Sequence, residues 1–343
     1  MQKLTNSARN KFAACHRAYQ LFYVQGKRPV IPSDALGFGT AMHSLLEGVW
    51  GGSSSRAKGE GAGVPAFNTG DPYRDMTLKA LYEGYLDRWE RDDDERFEKV
   101  AAEVYFEAPL MNPETGGISK TWVLAGKIDA IAREKATGKL YIIEHKTTSS
   151  DIGPGSDYWR RLAIDGQVSG YYVGAQANGY EVENCLYDVI RKPTMYPSKS
   201  IPMLDEEGLK IVVDEETGER VMKKDGTPRQ SAGEGMKLLV RDETPEEWYK
   251  RLELDILQRP DYYYARVEVA RSADDLTDYL FDMWAVGREI ADAQRLGRFS
   301  RNPQNCQSYG KCEFFDVCSG CADIDDVTLF RNAEDPNEEL TNN

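Results

Sequence analysis

The chain has 343 residues, 41% hydrophobic and 29% charged, with 57 acidic and 43 basic side chains giving a net charge of −14. That length buries a sizeable core, as two domains or as one with an insertion, and no apolar run approaches the roughly eighteen residues a membrane helix needs. The acidic balance argues against a surface that attracts nucleic acid everywhere, yet residues 1–33 hold six Lys or Arg and no acid, so a local basic face remains available.

In chain order, Ser7 to Gln25 carries Phe12, Cys15, Tyr19, Phe22 and Tyr23 at helical spacing and ends at Gly26, which predicts one helix. A second helix is expected from Gly39 to Val49, burying Met42, Leu45, Leu46 and Val49. Gly51 to Asp71, with its Gly-Gly-Ser-Ser-Ser run, reads as a flexible loop, and Met76 to Val100 as a third helix. From Glu103 the apolar period shortens to two, predicting strands over Val104–Ala108, Trp122–Arg133 and Lys139–Lys146. Tyr158 to Asn178 is helical again and Val182 to Ile190 a strand. Pro193 to Glu243 is polar and rich in turn signals, as expected of an inserted hairpin or lid. Thr244-Pro-Glu-Glu opens a helix, Tyr262–Val269 reads as a strand, and Ser272 starts a long helix to about Leu296. A Cys-rich stretch, Cys306 to Cys321, and an acidic tail expected to fray complete the chain. This order predicts an α/β or α+β fold with a mixed central sheet flanked by helices.

The sharpest chemical signal is Gly126-Lys-Ile-Asp129 followed by Glu144-His145-Lys146, the only acid-x-Lys triplet in the chain. Positions i and i+2 of a strand share a face, so Glu144 and Lys146 project together. A hairpin of the two neighbouring strands would bring Asp129 beside them. Two carboxylates meeting on a sheet repel unless a cation lies between them, and Mg²⁺ suits such oxygen ligands. Lys146 could then orient a metal-bound water or stabilise charge on a phosphate. The plain alternative is a weak exposed ion pair. Glu103 is a further acid that could reach this place.

This pattern resembles the PD-(D/E)XK nuclease superfamily, and within it the RecB-like exonucleases, over most of the chain. Gly126–Asp129 looks like the first acidic motif and Ile143-Glu-His-Lys-Thr-Thr148 like the second. Gly39-Thr-Ala-Met-His43-Ser-Leu-Leu-Glu47 is similar to the N-terminal helix motif, and Gln167-Val-Ser-Gly-Tyr171 to the Gln-x-x-x-Tyr motif. The resemblance implies a restriction-endonuclease-like core. It also implies Mg²⁺ or Mn²⁺ held by His43, Asp129, Glu144 and the His145 backbone carbonyl, with Asp129, Glu144 and Lys146 catalytic and Gln167 and Tyr171 supporting the site or touching DNA.

Met1 to Arg17 lacks the apolar core of a signal peptide, so a reducing, cytoplasmic location is expected, where clustered thiols read as metal ligands rather than disulfides. Cys306, Cys312, Cys318 and Cys321 cluster, while Cys15 stands far away. The pattern resembles RecB-like nucleases with an iron–sulfur cluster, the AddB and CRISPR-associated types, and implies a [4Fe–4S] cluster on Cys15, Cys306, Cys312 and Cys318, joining the two ends of the chain. Cys321 is a possible substitute, since the C-terminal spacing departs from the common one. A local Zn²⁺ knot on the C-terminal cysteines is the alternative.

The expected organisation is an N-terminal helical region (1–100), the nuclease core (101–192), the insertion (193–243), a C-terminal helical region with the cysteines (244–321) and the tail (322–343). The expected function is a metal-dependent DNA exonuclease acting on ends or single strands in repair, recombination or replication, with a helicase or recombination protein as a potential partner and no membrane association. The alternative is a non-cleaving DNA- or protein-binding module of the same fold, stabilised by the cluster or by zinc.

Overall fold

The computed structural model describes residues 1–31, 34–51, 67–308 and 310–340. Most of the expected Gly51–Asp71 loop lies outside the described residues. The chain starts with a short strand, β1 (Gln2–Leu4), then α1 (Asn6–Ala14) and α2 (His16–Tyr19), a turn of π-helix (Gln20–Val24) and β2 (Lys27–Pro29). The single helix expected here is therefore broken. Cys15 is extended, with φ −164° and ψ 116°, and its N–H closes α1 on Lys11.

Two long helices follow, α3 (Asp34–Trp50) and α4 (Pro72–Arg96), then three long strands, β3 (Phe97–Met111), β4 (Ile118–Glu134) and β5 (Leu140–Thr148). The expected Tyr158–Asn178 helix is two, α5 (Asp157–Leu162) and α6 (Gly166–Ala177), because Asp165 caps the second through the N–H of Gln167. After β6 (Val182–Arg191), residues 193–243 hold only short strands, β7 (Ile201–Pro202), β8 (Val212–Asp214), β9 (Met236–Leu238) and β10 (Val240–Arg241), paired in two small ladders outside the main sheet. Next come α7 (Pro245–Gln258), opened by a Thr244–Glu247 capping box, then α8 (Pro260–Tyr263), β11 (Tyr264–Val269) and the long α9 (Ala273–Leu296). The chain closes with α10 (Phe315–Ser319) and β12 (Phe330–Asn332).

Six strands form one mixed sheet in the order β1-β4-β5-β6-β11, with β3 on the remaining edge of β4. The β3–β4 pairing is antiparallel and runs almost their full length, so β1 and β5 must share the other edge of β4. Strand β1 lies parallel to Trp122–Leu124 and β5 antiparallel to Ala130–Arg133. Between these two neighbours, Ala125 to Asp129 has no strand partner on that edge. Strands β5 and β6 are parallel, and β6 and β11 antiparallel. One face packs against α3, α4 and α7 through Trp50, Leu81, Tyr85, Ile143 and Trp248. The other packs against α6 through Ile131, Ile142, Val168 and Tyr172. The mixed sheet flanked by helices is the fold class expected from the sequence.

The acidic tail is docked rather than frayed. Strand β12 pairs with β2, Arg331 is bidentate to Glu338, and Glu339 accepts hydrogen bonds from Thr5 and Tyr23. Among the described residues, no helix is long and apolar enough to cross a membrane.

Candidate active site

Where β4 and β5 separate, the side chain of Asp129 fills the gap. Their ladder ends at Ala130↔Ile143, and one residue further on Asp129 Oδ2 accepts the backbone N–H of His145 at 2.8 Å. A carboxylate thus takes the place of a main-chain carbonyl, which satisfies the donor and fixes the acid between the strands. Glu144 and Lys146 project from β5 on the α6 side, and the Lys146 ammonium lies on Glu144 Oε1. The same oxygen accepts the hydroxyl of Tyr171 at 3.2 Å, and Gln167 Nε2 donates to that hydroxyl at 2.7 Å. Residues 167 and 171 stand one turn apart on α6, so the helix face delivers both to the acid.

His43 reaches in from α3, its Nδ1 3.5 Å from Asp129 Oδ2. Six of the seven residues expected at a metal or its support therefore converge through side chains, and His145 through its backbone. Gly126 has a steric reason to be glycine. It pairs with Phe106 across β3–β4, and a Cβ there would stand 2.5 Å from the Phe106 ring.

Electrostatics sets the acids apart. Glu144 is fully buried and its Oε2 has no hydrogen-bond partner. Burial and the neighbouring Asp129 push its carboxyl up to about 7, against the pull of Lys146. Burial also opposes ionisation of Asp129, but His43 and Lys146 outweigh it and hold that carboxyl well below the usual carboxylate range. For His43 burial lowers the pKa, and Asp129 more than reverses this, raising it. Asp129, His43 and Lys146 keep some exposure, so the site opens to solvent on one side.

Glu103, the further acid named from the sequence, is at this place, and Trp50 beside it carried no such signal. His43, Glu47, Trp50, Glu103, Asp129 and His145 line one small cleft. Glu103 sits in β3 between the pairs Ala102↔Ala130 and Val104↔Ile128, hence across from Asp129, and pairs with Lys127. Its φ of 51° is left-handed, rare for a non-glycine residue and costing roughly 1–2 kcal/mol. Behind the site, the His145 ring is buried against Trp50 and Tyr85. Its Nδ1 lies 3.3 Å from Asp188 Oδ2, a contact whose geometry falls short of a hydrogen bond. Asp188 accepts from Tyr85 at 2.7 Å and from Arg266 at 2.9 Å, and Arg266 also binds Asp93.

The fit to a divalent cation rests on this donor set, two acids from neighbouring strands with one buried carboxylate oxygen unsatisfied. As the side chains stand, no three His, Cys, Asp or Glu among the described residues form a ready-made metal group. Glu144 is drawn to Lys146 and Tyr171, and Asp129 to the main chain and His43.

The cysteines are all free. Cys15 Sγ accepts the N–H of Asn302 at 3.4 Å, which ties it to the C-terminal segment. Cys15 and Cys312 pack on the same small cluster of Leu21, Phe314 and Phe330, and the Cys312 N–H donates to the Cys306 carbonyl at 2.9 Å. Cys318 follows on α10, while Cys321 is exposed.

A sequence profile of the PD-(D/E)XK nuclease superfamily matches residues 3–319. None of the curated proteins compared with the chain matches it. Among solved structures, a candidate exonuclease from Eubacterium rectale is similar at a TM-score of 0.46 and 12% identity, covering 94% of this chain and 88% of that one.

Proposed function

The chain belongs to the PD-(D/E)XK nuclease superfamily, and on that premise we propose that it is a metal-dependent DNA exonuclease whose cutting centre is Asp129, Glu144 and Lys146. The observation that carries this reading is the parting of β4 and β5, which places Asp129 on the His145 amide at 2.8 Å beside a buried Glu144 with an unpartnered oxygen. Asp129, Glu144, His43 and the His145 carbonyl would hold Mg²⁺ or Mn²⁺. Such an ion supplies a low-pKa bound water and charge stabilisation at the scissile phosphate. Lys146 would orient the attacking water and offset charge on the phosphate. Tyr171, steadied by Gln167, fixes the Glu144 carboxylate, and the His145 amide fixes Asp129. The full set of two acids and a lysine favours cutting over a non-cleaving binding module.

Cys15, Cys306, Cys312 and Cys318 would hold a structural [4Fe–4S] cluster, a reading supported by the packing of Cys15 and Cys312 around Phe314. A cluster there would constrain the unfolded chain as a long-loop cross-link does. Purification without oxygen should give protein with iron, sulfide and broad visible absorbance, and Cys15→Ser should remove all three. Colourless protein carrying zinc that survives Cys15→Ser would show the local knot instead.

The cutting test uses 5′- and 3′-end-labelled single- and double-stranded DNA with Mg²⁺ or Mn²⁺. Wild-type protein should release nucleotides from an end, and Glu144→Gln and Lys146→Met should stop this while keeping the wild-type circular-dichroism spectrum. Cutting that survives both substitutions would remove these residues from the mechanism.

A further inference from the structure

Strand alternation sends Glu144 and Lys146 to the α6 face, so the side chain of His145 between them goes to the other. There its ring is 3% exposed and lies against Trp50 and Tyr85. A buried imidazole costs free energy unless a polar partner meets it, and an apolar ring would fill the same space without that cost. The partner is Asp188, directly across the β5–β6 register, with its Oδ2 3.3 Å from His145 Nδ1. Asp188 is itself held by the Tyr85 hydroxyl at 2.7 Å and by Arg266 at 2.9 Å. Paired with a guanidinium it is a carboxylate and offers acceptors only, so it draws a protonated ring nitrogen toward it. Buried ionic networks are a weak source of stability, and their best attested use is to specify one geometry.

The backbone of His145 gives that geometry a task. In a strand the N–H and C=O of one residue point to the same edge. The His145 N–H reaches Asp129 at 2.8 Å, past the last β4–β5 pair, Ala130↔Ile143, so its carbonyl faces the same gap. One residue therefore aims the Asp129 carboxylate and also presents a carbonyl to the cation. A turn of its backbone would spoil both at once, and the ring on the far side of the sheet is the handle that prevents it. Asp93 supplies a contrast, since it also accepts from Arg266 at 2.9 Å but forms no ion pair with His145.

We propose that Asp188 is a positioning residue for the divalent cation, acting through the His145 ring to hold the backbone that aims Asp129 and the ion-facing carbonyl. This rests on the nuclease reading above.

The test is the Mn²⁺ affinity of the full metal-free chain, read by electron paramagnetic resonance without DNA, in a double-mutant cycle. Asp188→Asn keeps the size of the side chain and removes its charge. His145→Phe keeps a ring against Trp50 and Tyr85, removes the nitrogens, and leaves Asp188 on Tyr85 and Arg266. Each should weaken Mn²⁺ binding about 10–100-fold, as loss of a group supporting a metal ligand does. The double variant should be no weaker than the weaker single, because both changes break one link. Asp93→Asn, which disturbs the same network away from His145, should leave Mn²⁺ affinity unchanged. Wild-type affinity in either single variant, losses that multiply in the double, or an equal loss in Asp93→Asn overturns the proposal. If Asp188→Asn does not fold, His145→Phe alone decides between the same results. Any of these failures in protein that still cuts DNA leaves the nuclease reading standing, whereas wild-type protein that neither binds Mn²⁺ nor cuts DNA overturns both.

Discussion

Replacing Arg266 by Met should cost about 3–5 kcal/mol of folding stability, the usual penalty for breaking a buried ion pair by removing one partner. Arg266 donates to Asp93 at 2.9 Å, to Asp188 at 2.9 Å and to the Tyr85 hydroxyl at 2.9 Å. Asp188 is 0% exposed and Asp93 4%, so methionine would strand two acids in the core with no cation. Burial opposes ionisation of Asp188, but Arg266 and His145 hold it well below the usual carboxylate range, and the first of these is lost. A domain holds only about 5–15 kcal/mol in total, so the loss is a large part of the whole. Urea unfolding followed by circular dichroism measures it. Adding Asp93→Asn and Asp188→Asn to Arg266→Met should recover most of the loss, because the buried charge is then gone. A change below about 1 kcal/mol for Arg266→Met would refute the reasoning, since it would mean that water reaches the network.

Tyr171→Phe removes one support of Glu144 and should lower activity or metal affinity by about 10–100-fold, read as a rise in the Mn²⁺ concentration for half-maximal cutting. Gly174→Ala places a Cβ 2.4 Å from the Phe106 ring, which is 4% exposed, and should cost about 1–3 kcal/mol in the same urea assay. Glu144, raised to about 7, stabilises metal-free protein fully below its unfolded pKa, and that contribution is lost as pH rises through about 7. Wild-type stability in EDTA should therefore fall between about pH 5 and about pH 7 relative to Glu144→Gln, and parallel profiles would contradict it.

The convergence of Asp129, Glu144 and Lys146 was legible because strand alternation fixes which side chains share a face and a short turn at residues 135–138 fixes which strands are neighbours. The gap that Asp129 fills was not. It lies between β5 and β1, and β1 is three residues that take only Trp122–Leu124 on that edge of β4, too short to show any period. Cys15 kept helical spacing with its neighbours, so nothing marked the extended backbone that breaks the helix there. Asp93, Asp188 and Arg266 come from three distant segments and look like ordinary surface charges until the sheet and α4 bring them together. The tail was expected to fray on its acid content alone, and its acids instead meet Arg331, Thr5 and Tyr23.

Electron paramagnetic resonance of Mn²⁺ titrated into metal-free protein reports directly on whether β4 and β5 grip one cation between them. Saturable binding in the wild type that weakens at least about tenfold in both Asp129→Asn and Glu144→Gln, with the fold intact, is the expected result. Equal affinity in wild type and both variants would show that these acids hold no ion, and the proposed chemistry would have no centre.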